Sequence, residues 1–246
     1  MRVLATIEAR MGSSRLPGKV MLELAGKPML QWKIEQVRNS RCVDAVKVVS
    51  ATSPANELIS NFCERIGCPV YRGAEEDVLD RLIQGTSEEE PDIIVQLTGD
   101  NPLISPKLID DAVEYLLKNN VDFVSNSLTQ ATIVGMNVRC FKRSALLKAG
   151  QLCEDPMIRV HGGYYIQQRP DIFKIGENPV PEEYQRSDIR LTVDEAPDFE
   201  LIRKIILLAR SRGEDLTVEN ILGYFNEFHE LKDVNCAVRQ KCVGEG

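Results

Sequence analysis

Short apolar runs alternate with amphipathic stretches through the first half of the chain. Four runs are short, apolar and partly β-branched, which is typical of buried strands: Val3–Ile7, Ala45–Val49, Val70–Tyr71 and Asp92–Leu97. The stretches between or after them carry apolar residues at helical spacing: 28–38, 53–66, 77–84 and 106–118. This alternation predicts an α/β fold with a largely parallel sheet that is covered by helices on both faces.

The regular alternation ends near residue 124. The pattern then predicts a strand over 121–124, a hairpin-like stretch over 135–141, helices over 144–149 and 158–168, and strands over 172–175 and 189–193. Two final helices are predicted over 197–211 and 218–228, followed by a loose tail after Asn235. With 246 residues and no low-complexity linker, the chain is expected to form a single domain over 1–246.

The composition of the chain disfavours two classes of binding partner, nucleic acids and membranes. The 30 basic and 37 acidic residues give a formal net charge of −7, which disfavours general binding to nucleic acid or to an anionic membrane. No apolar stretch approaches the roughly 18 residues of a membrane-spanning helix, and the chain starts without the pattern of a signal peptide. We therefore expect a cytoplasmic protein with neither nucleic acid nor membrane as a partner.

The loop after the first predicted strand concentrates cations and hydroxyl groups in an otherwise acidic chain. It contains Ala9, Arg10, Gly12, Ser13, Ser14, Arg15 and Lys19. Glycines admit close backbone donors, hydroxyls add hydrogen bonds, and guanidinium groups bind phosphates in a bidentate manner. The loop is not a Walker loop, because five residues separate its glycines and Val20 follows the lysine. A phosphate-chain site is predicted here; a solvated basic turn is the alternative.

Two aspartates follow predicted strands and are candidate metal ligands. Asp100 lies in Thr98–Pro102, directly after the strand that ends at Leu97, and Asp194 follows 189–193. Ligands of open α/β sheets bind at the carboxyl ends of the strands. Two carboxylates facing a phosphate loop there would form a hard oxygen site for Mg²⁺. Each aspartate also has a structural alternative: an Asx turn for Asp100 and a helix N-cap for Asp194.

Five motifs together resemble the cytidylyltransferases that make CMP-activated sugars. They are Ala9–Lys19 with Gly26–Met29, Asp77–Arg81, Thr98–Ile104, Ser125–Asn126 and Leu191–Asp194, and the resemblance spans about Val3 to Leu207. The opening loop is similar in spacing to 3-deoxy-manno-octulosonate cytidylyltransferase. The whole chain resembles the spore-coat polysaccharide group, which is also described as acylneuraminate cytidylyltransferase-like.

The resemblance implies a Rossmann-like nucleotidyltransferase fold with a mixed, mostly parallel sheet. It also implies a small dimerisation and acceptor excursion, which maps to about 128–181, and hence a homodimer. The implied reaction is attack of an acceptor oxygen on the α-phosphorus of CTP with release of pyrophosphate. The residues that match the family's site are Arg10, Arg15, Lys19 and Asp100 as catalytic residues, Ala9, Gly12, Ser13, Ser14 and Thr98 as further nucleotide contacts, and Asp100 and Asp194 as Mg²⁺ ligands.

The chain departs from the family in the expected acceptor region. Where the group often carries an acid, Gly135–Phe141 contains Arg139, which we expect to bind a small anionic acceptor through bidentate contacts. Asn126 and His161 are the other candidate acceptor residues. A surface position is the alternative for Arg139, and a structural role is the alternative for His161, which lacks the preceding Glu seen in the family.

Three other functions stay open from the sequence. The phosphate loop does not distinguish CTP from other nucleotides, so a guanylyltransferase or another nucleotidyltransferase acting on a sugar 1-phosphate is an alternative. The altered acceptor motif also allows a catalytically degenerate nucleotide-binding subunit. A glycosyltransferase would keep a metal-binding acid, but it has no need of so cationic a triphosphate loop.

Overall fold

A computed structural model describes residues 1–240, which fold around a seven-stranded mixed sheet. These residues form nine strands: β1 (Val3–Glu8), β2 (Glu23–Leu24), β3 (Lys27–Pro28), β4 (Ala45–Ala51), β5 (Val70–Gly73), β6 (Ile93–Thr98), β7 (Phe123–Ser125), β8 (Arg139–Lys142) and β9 (Ile175–Glu177). The sheet order is β5-β4-β1-β6-β8-β7-β9, while β2 and β3 pair as a separate ribbon. This is the Rossmann-like, mostly parallel architecture that the sequence predicted.

One strand runs against the rest of the sheet. β1, β4, β5 and β6 pair in parallel, and β7 pairs in parallel with β9. β8 lies between β6 and β7 and is antiparallel to both, with Arg139 opposite Gln96 on one side and opposite Ser125 on the other. The start of β8 therefore reaches the same edge of the sheet as the carboxyl ends of β1 and β6.

Nine α-helices connect or flank these strands within the described part of the chain. They are α1 (Met29–Arg38), α2 (Glu57–Arg65), α3 (Val78–Gly85), α4 (Pro106–Asn119), α5 (Arg143–Leu152), α6 (Pro156–Arg159), α7 (Tyr164–Gln167), α8 (Ala196–Arg212) and α9 (Val218–Glu227). Asp77 and Ser105 cap α3 and α4 by accepting hydrogen bonds from backbone amides three residues later. None of these helices has the length and apolar character to span a membrane.

The two faces of the sheet carry separate apolar clusters. The larger cluster packs α1, α2, α4, α8 and α9 against residues such as Ala5 and Ile7 of β1. The smaller cluster packs α3, α5 and α7 against Val49, Ile94 and Phe141. Because side chains alternate along a strand, the last residues of β1 and β6 and the first of β8 project on the smaller-cluster face.

Three predictions for the second half of the chain were wrong in detail. The helix predicted over 158–168 is broken into α6 and α7, because Gly162 adopts φ +59° against Gln96 of β6. The strand predicted over 172–175 begins only at Ile175. The hairpin-like stretch over 135–141 is instead a loop that leads into β8.

The strand predicted over 189–193 was also wrong. That segment makes a single bridge, between Val134 and Arg190. Its amides bond to two different loops, Leu191 to the carbonyl of Val134 and Val193 to the carbonyl of Asp100, both at 2.7 Å. Asp194 therefore follows an extended connector, which runs directly into α8.

The predicted loose tail divides into two parts. Asn235 is buried and donates from Nδ2 to the carbonyl of Arg190 at 3.1 Å and to Asp198 Oδ1 at 2.8 Å. The carbonyl of Arg239 accepts a hydrogen bond from Arg15 at 3.3 Å. Asn235 and the Arg239 carbonyl thus contact the loops at the sheet edge, which corrects the prediction at these positions, and residues 241–246 lie outside the described residues.

Candidate active site

The loop after β1 folds back on itself at the carboxyl edge of the sheet. Ala9 donates to the carbonyl of Val49, and Met11 donates to Asn56 Oδ1 at 2.8 Å. Gly18, with φ +68°, closes the loop by donating to the carbonyl of Met11. A short 3-10 turn begins at Lys19 and directs this side chain back under the loop. The predicted phosphate loop is therefore anchored at both ends by backbone hydrogen bonds.

Lys19 connects the two predicted metal ligands. Its Nζ lies 2.9 Å from Asp194 Oδ1 and 3.5 Å from Asp100 Oδ2, and it also donates to the carbonyl of Val193 at 2.6 Å. The Lys19 side chain is only 11% exposed. The structure thus brings together three side chains that the sequence placed on separate strands and loops.

Asp194 is surrounded by cations. Its Oδ2 lies 3.0 Å from Arg15 Nη2 and 2.6 Å from Arg190 Nη2, while Lys19 occupies the other oxygen. Burial alone would raise the pKa of Asp194, but Lys19, Arg190 and Arg15 outweigh burial and hold this pKa below its usual value. The carboxylate is therefore ionised at neutral pH. Arg190 was not singled out from the sequence, although it lies four residues before Asp194.

Asp100 is the more open of the two carboxylates. Its side chain is 30% exposed, and its Oδ1 accepts a hydrogen bond from the hydroxyl of Thr98 at 2.6 Å. Gly99 holds the turn close to β1 by donating to the carbonyl of Glu8 at 2.8 Å. The partly exposed carboxylate of Asp100 is therefore accessible to a ligand from solvent.

The tip of the phosphate loop faces solvent. Ala9 is buried under it, whereas Arg10, Gly12 and Ser14 are exposed. Within residues 1–240, neither the Arg10 guanidinium nor the Ser14 hydroxyl has a hydrogen-bond partner, and the hydroxyl of Ser13 accepts from the amide of Leu16. The exposed groups are donors, so this surface is suited to an anionic ligand.

A second polar group lies beside this cluster on the smaller-cluster face. Glu8, at the end of β1, accepts a hydrogen bond at Oε1 from Gln96 Nε2 at 2.6 Å. Gln96 in turn accepts from the amide of Gly163 at 3.1 Å. Burial raises the pKa of Glu8, although the hydrogen bond from Gln96 and the charges of Arg81 and Arg139 oppose this rise. Glu8 and Gln96 were missed because they read as ordinary strand residues.

The predicted acceptor residues occupy different environments. Arg139 is half-buried next to Gln96, and its guanidinium forms no ion pair or hydrogen bond with any residue of the described 1–240 range. Burial and the nearby Arg139 lower the pKa of His161, which is therefore neutral at pH 7. Asn126 is fully buried, with Nδ2 bonded to the carbonyl of Met136 and Oδ1 to the amide of Val138. Its amide shapes the loop before β8 and does not face the crevice.

Lys33 is a further residue that sequence reasoning missed. It belongs to α1 and is completely buried, with Nζ donating to Asn101 Oδ1 at 2.5 Å. Asn101 follows Asp100 directly and donates to the carbonyl of Gly135 at 2.8 Å. A helical lysine between apolar neighbours gives no sequence signal for such a contact. Lys33 supports the Asp100 turn from the side of the larger cluster.

The carboxylates fit a hard divalent cation only in combination with a ligand. Within residues 1–240, no group of three or more His, Cys, Asp or Glu side chains is arranged to hold a metal ion. Asp100 offers accessible oxygen donors, whereas both oxygens of Asp194 are occupied by cations. Mg²⁺ is commonly held by one or two carboxylates together with phosphate oxygens and water. The donor set therefore fits a magnesium ion that arrives with a phosphorylated substrate.

Known proteins resemble the chain over nearly its full length. A family model described as cytidylyltransferase matches residues 4–225. The chain is 36% identical to the uncharacterized protein MJ1063 of Methanocaldococcus jannaschii, over 100% of this chain and 99% of that protein. It is 30% identical to the spore coat polysaccharide biosynthesis protein SpsF of Bacillus subtilis, over 91% of this chain and 94% of that protein.

Solved structures show the same fold. A cytidylyltransferase from Leptospira borgpetersenii superposes with a TM-score of 0.85 at 30% identity, covering 95% of this chain and 98% of that chain. A CMP:2-keto-3-deoxy-manno-octonic acid synthetase, solved as a complex with CTP, superposes with a TM-score of 0.60 at 21% identity, covering 86% of this chain and 100% of that chain. This second likeness shows the shared fold alone.

Proposed function

The chain belongs to the cytidylyltransferase family, and from this premise we propose that it transfers the CMP group of CTP to a small anionic acceptor. It is a nucleotidyltransferase. In the proposed reaction, an acceptor oxygen bonds to the α-phosphorus as the bond to the departing pyrophosphate breaks, and the hydroxyl proton leaves to water. The observation that carries this proposal is the contact of Lys19 with both Asp100 and Asp194 beneath an exposed donor loop.

The phosphate loop supplies charge where the triphosphate would lie. Arg10 and Ser14 are exposed donors without partners in the described chain, and Arg15 and Lys19 lie behind them against Asp194. A triphosphate would compete with Asp194 for these two cations. Fixed cations that neutralise the leaving pyrophosphate lower the barrier, because they need no reorganisation as charge develops. Positioning the reactants in line is the other main source of rate.

Asp100 would hold Mg²⁺, with Asp194 joining it once Lys19 and Arg15 turn towards phosphate. When bound, the ion supplies charge neutralisation on the phosphate oxygens. The protein's own contribution is to hold the Asp100 carboxylate in place through the hydroxyl of Thr98, within reach of the loop. A cation brought in with the nucleotide would also replace the positive charge that Lys19 gives the two carboxylates in this structure.

The acceptor side of the crevice supports an anionic substrate. Arg139 has no counter-charge bound within residues 1–240, and burial lowers its pKa while Glu8 opposes this effect. A half-buried guanidinium without a partner is stabilised by a carboxylate or phosphate ligand. The names of SpsF and of the octonic acid synthetase point to an acidic sugar for surface-polysaccharide synthesis. Dimerisation through 128–181 remains a prediction.

The test is pyrophosphate release with Mg²⁺, with CTP, GTP, UTP and ATP each offered acidic sugars, sugar 1-phosphates and phosphonates. CTP-dependent release with an acidic acceptor is the expected result. A preference for GTP with a sugar 1-phosphate would keep the mechanism and overturn the cytidylyl assignment. Absence of nucleotide binding in calorimetry would overturn the assignment of the loop.

A further inference from the structure

Glu8 and Arg139 flank Gln96 at one end of the sheet without contacting each other. Glu8 ends β1, Gln96 lies on the adjacent β6, and Arg139 begins β8 directly opposite Gln96. All three side chains project on the smaller-cluster face, because side chains alternate along a strand. Gln96 lies two residues from Ile94 and Arg139 two residues from Phe141, both buried in the smaller cluster. Glu8 follows Ile7, which is buried in the larger cluster on the other face. Opposite charges therefore flank one amide side chain.

Gln96 is fixed in place by the break between α6 and α7. Its Oε1 accepts from the amide of Gly163, and its Nε2 donates to Glu8. Gly162 has φ +59°, and a Cβ at this position would lie 2.5 Å from Gln96 Nε2. The backbone approaches this closely only because residue 162 is glycine. The amide therefore has one orientation, and it fixes the Glu8 carboxylate with Oε1 engaged.

The second oxygen of Glu8 and the guanidinium of Arg139 are left available. In the described chain, Glu8 Oε2 has no hydrogen-bond partner. This oxygen is not fully buried, so a ligand can reach it. The guanidinium of Arg139 likewise forms no ion pair or hydrogen bond there. Half-buried charges that lack partners lose solvation without compensation. A ligand with one anionic group and one hydrogen-bond donor would compensate for this lost solvation.

We propose that Glu8 and Arg139 together form the acceptor subsite, and that they select an acceptor with an anionic group beside a hydroxyl group. Arg139 binds the anion, and the free oxygen of Glu8 accepts a hydrogen bond from the neighbouring hydroxyl. This inference rests on the proposed function and narrows its acceptor to polyhydroxy acids. Acids without hydroxyl groups lack the second contact, and neutral polyols lack the first.

Binding measurements on the whole protein test this subsite separately from catalysis. Calorimetry first measures CTP binding, then titrates three probes into the CTP-saturated protein with Ca²⁺ in place of Mg²⁺: 2-keto-3-deoxy-manno-octonate, propionate and sorbitol. The wild-type protein is expected to bind the octonate at least tenfold more tightly than either other probe. Equal binding of all three probes, or of none in a protein that binds CTP, would overturn the subsite. Failure to bind CTP would instead overturn the proposed function.

Variants assign the two contacts. Glu8→Ala is expected to weaken octonate binding about tenfold without weakening propionate binding, because the hydroxyl contact is lost while Arg139 keeps its charge. Arg139→Met is expected to weaken both acids, and CTP binding should be unaffected in either variant. Glu90→Gln, an exposed loop residue that contacts Arg143, is the matched control. Octonate binding by Glu8→Ala at the wild-type affinity, in a folded protein, would overturn the role of Glu8.

Discussion

Lys33 donates a hydrogen bond to Asn101 Oδ1 at 2.5 Å in a position completely shielded from solvent. Asn101 in turn donates a hydrogen bond to the carbonyl of Gly135. The carbonyl of the preceding residue, Val134, accepts a hydrogen bond from the amide of Leu191. Helix α1 is thereby linked to the Asp100 turn, to the loop before β8 and to the connector before Asp194. Three segments far apart in sequence depend on one buried amine.

Replacing Lys33 by Met should flatten the dependence of stability on pH. Burial lowers the pKa of Lys33 to about 7 in the folded protein, against about 10.4 in an unfolded chain. The unfolded state therefore binds more protons between these values, and the free energy of unfolding rises with pH across that window. The contribution of Lys33 should grow by about 2 kcal/mol between pH 7 and pH 9.

Urea unfolding of the wild type and of Lys33→Met at both pH values measures this difference. Lys107→Met is the matched control, since Lys107 lies exposed on α4 and pairs with the neighbouring Asp111. This control should keep the wild-type slope. A Lys33→Met protein with the same slope as the wild type would contradict a neutralised buried lysine.

Gly135→Ala should unfold the protein more easily and reduce its activity. Gly135 has φ +100°, and a Cβ there would lie 2.7 Å from the amide nitrogen of Thr192. Backbone strain and overpacking together should cost about 2–5 kcal/mol. Gly223→Ala is the contrasting variant, because Gly223 is in α9 with open space around its Cα. That change should stabilise the protein by about 0.5–1 kcal/mol, and thermal melts of both variants check the pair.

Lys19→Met should reduce the rate of pyrophosphate release by roughly 10²–10³, by analogy with other fixed electrostatic donors. The physical reason is the loss of the cation that lies between Asp100 and Asp194 and faces the proposed leaving group. The measurement is kcat at saturating CTP and acceptor, with Lys107→Met again as the control. A folded Lys19→Met protein with wild-type kcat would remove Lys19 from the mechanism.

Asp100→Asn should raise the Mg²⁺ concentration needed for half-maximal activity, because an amide oxygen is a weaker ligand than a carboxylate. EDTA should abolish activity in both proteins, and added Mg²⁺ should restore it. Asp111→Asn, on the exposed side of α4, serves as the matched control. An unchanged Mg²⁺ requirement in Asp100→Asn would show that Asp100 is not a metal ligand.

The clustering of the residues proposed to bind the triphosphate was largely predictable. Lys19, Asp100 and Asp194 each lie in a short motif of unusual composition, and the rule that parallel strands end at one edge brings such motifs together. The correct clustering did not depend on the incorrect strand over 189–193. The clustering requires only that this segment reach the carboxyl edge of the sheet. Two hydrogen bonds to loops, from Leu191 and Val193, hold the segment there without a strand.

The proposed acceptor side was less predictable, because its geometry depends on contacts between distant residues. Glu8 and Gln96 look like ordinary strand positions until the register of β1, β6 and β8 is known. The break at Gly162 depends on the approach of Gln96, which no local pattern reports. Asn126 is the opposite case: it stands out in a sequence motif, but its side-chain amide bonds within its own loop. Nδ2 donates to the carbonyl of Met136, and Oδ1 accepts from the amide of Val138.

The position of β8 has a consequence for the order in which the chain assembles. β1, β4, β5 and β6 pair only with one another up to residue 98, so this half of the sheet can form as soon as it is synthesised. β7 is the next strand along the chain, after α4, but it has no place beside β6, because β8 occupies that edge. During synthesis, β7 must therefore wait until residues 139–142 leave the ribosome. Until then the edge of β6 that β8 later covers is unpaired and open to mispairing.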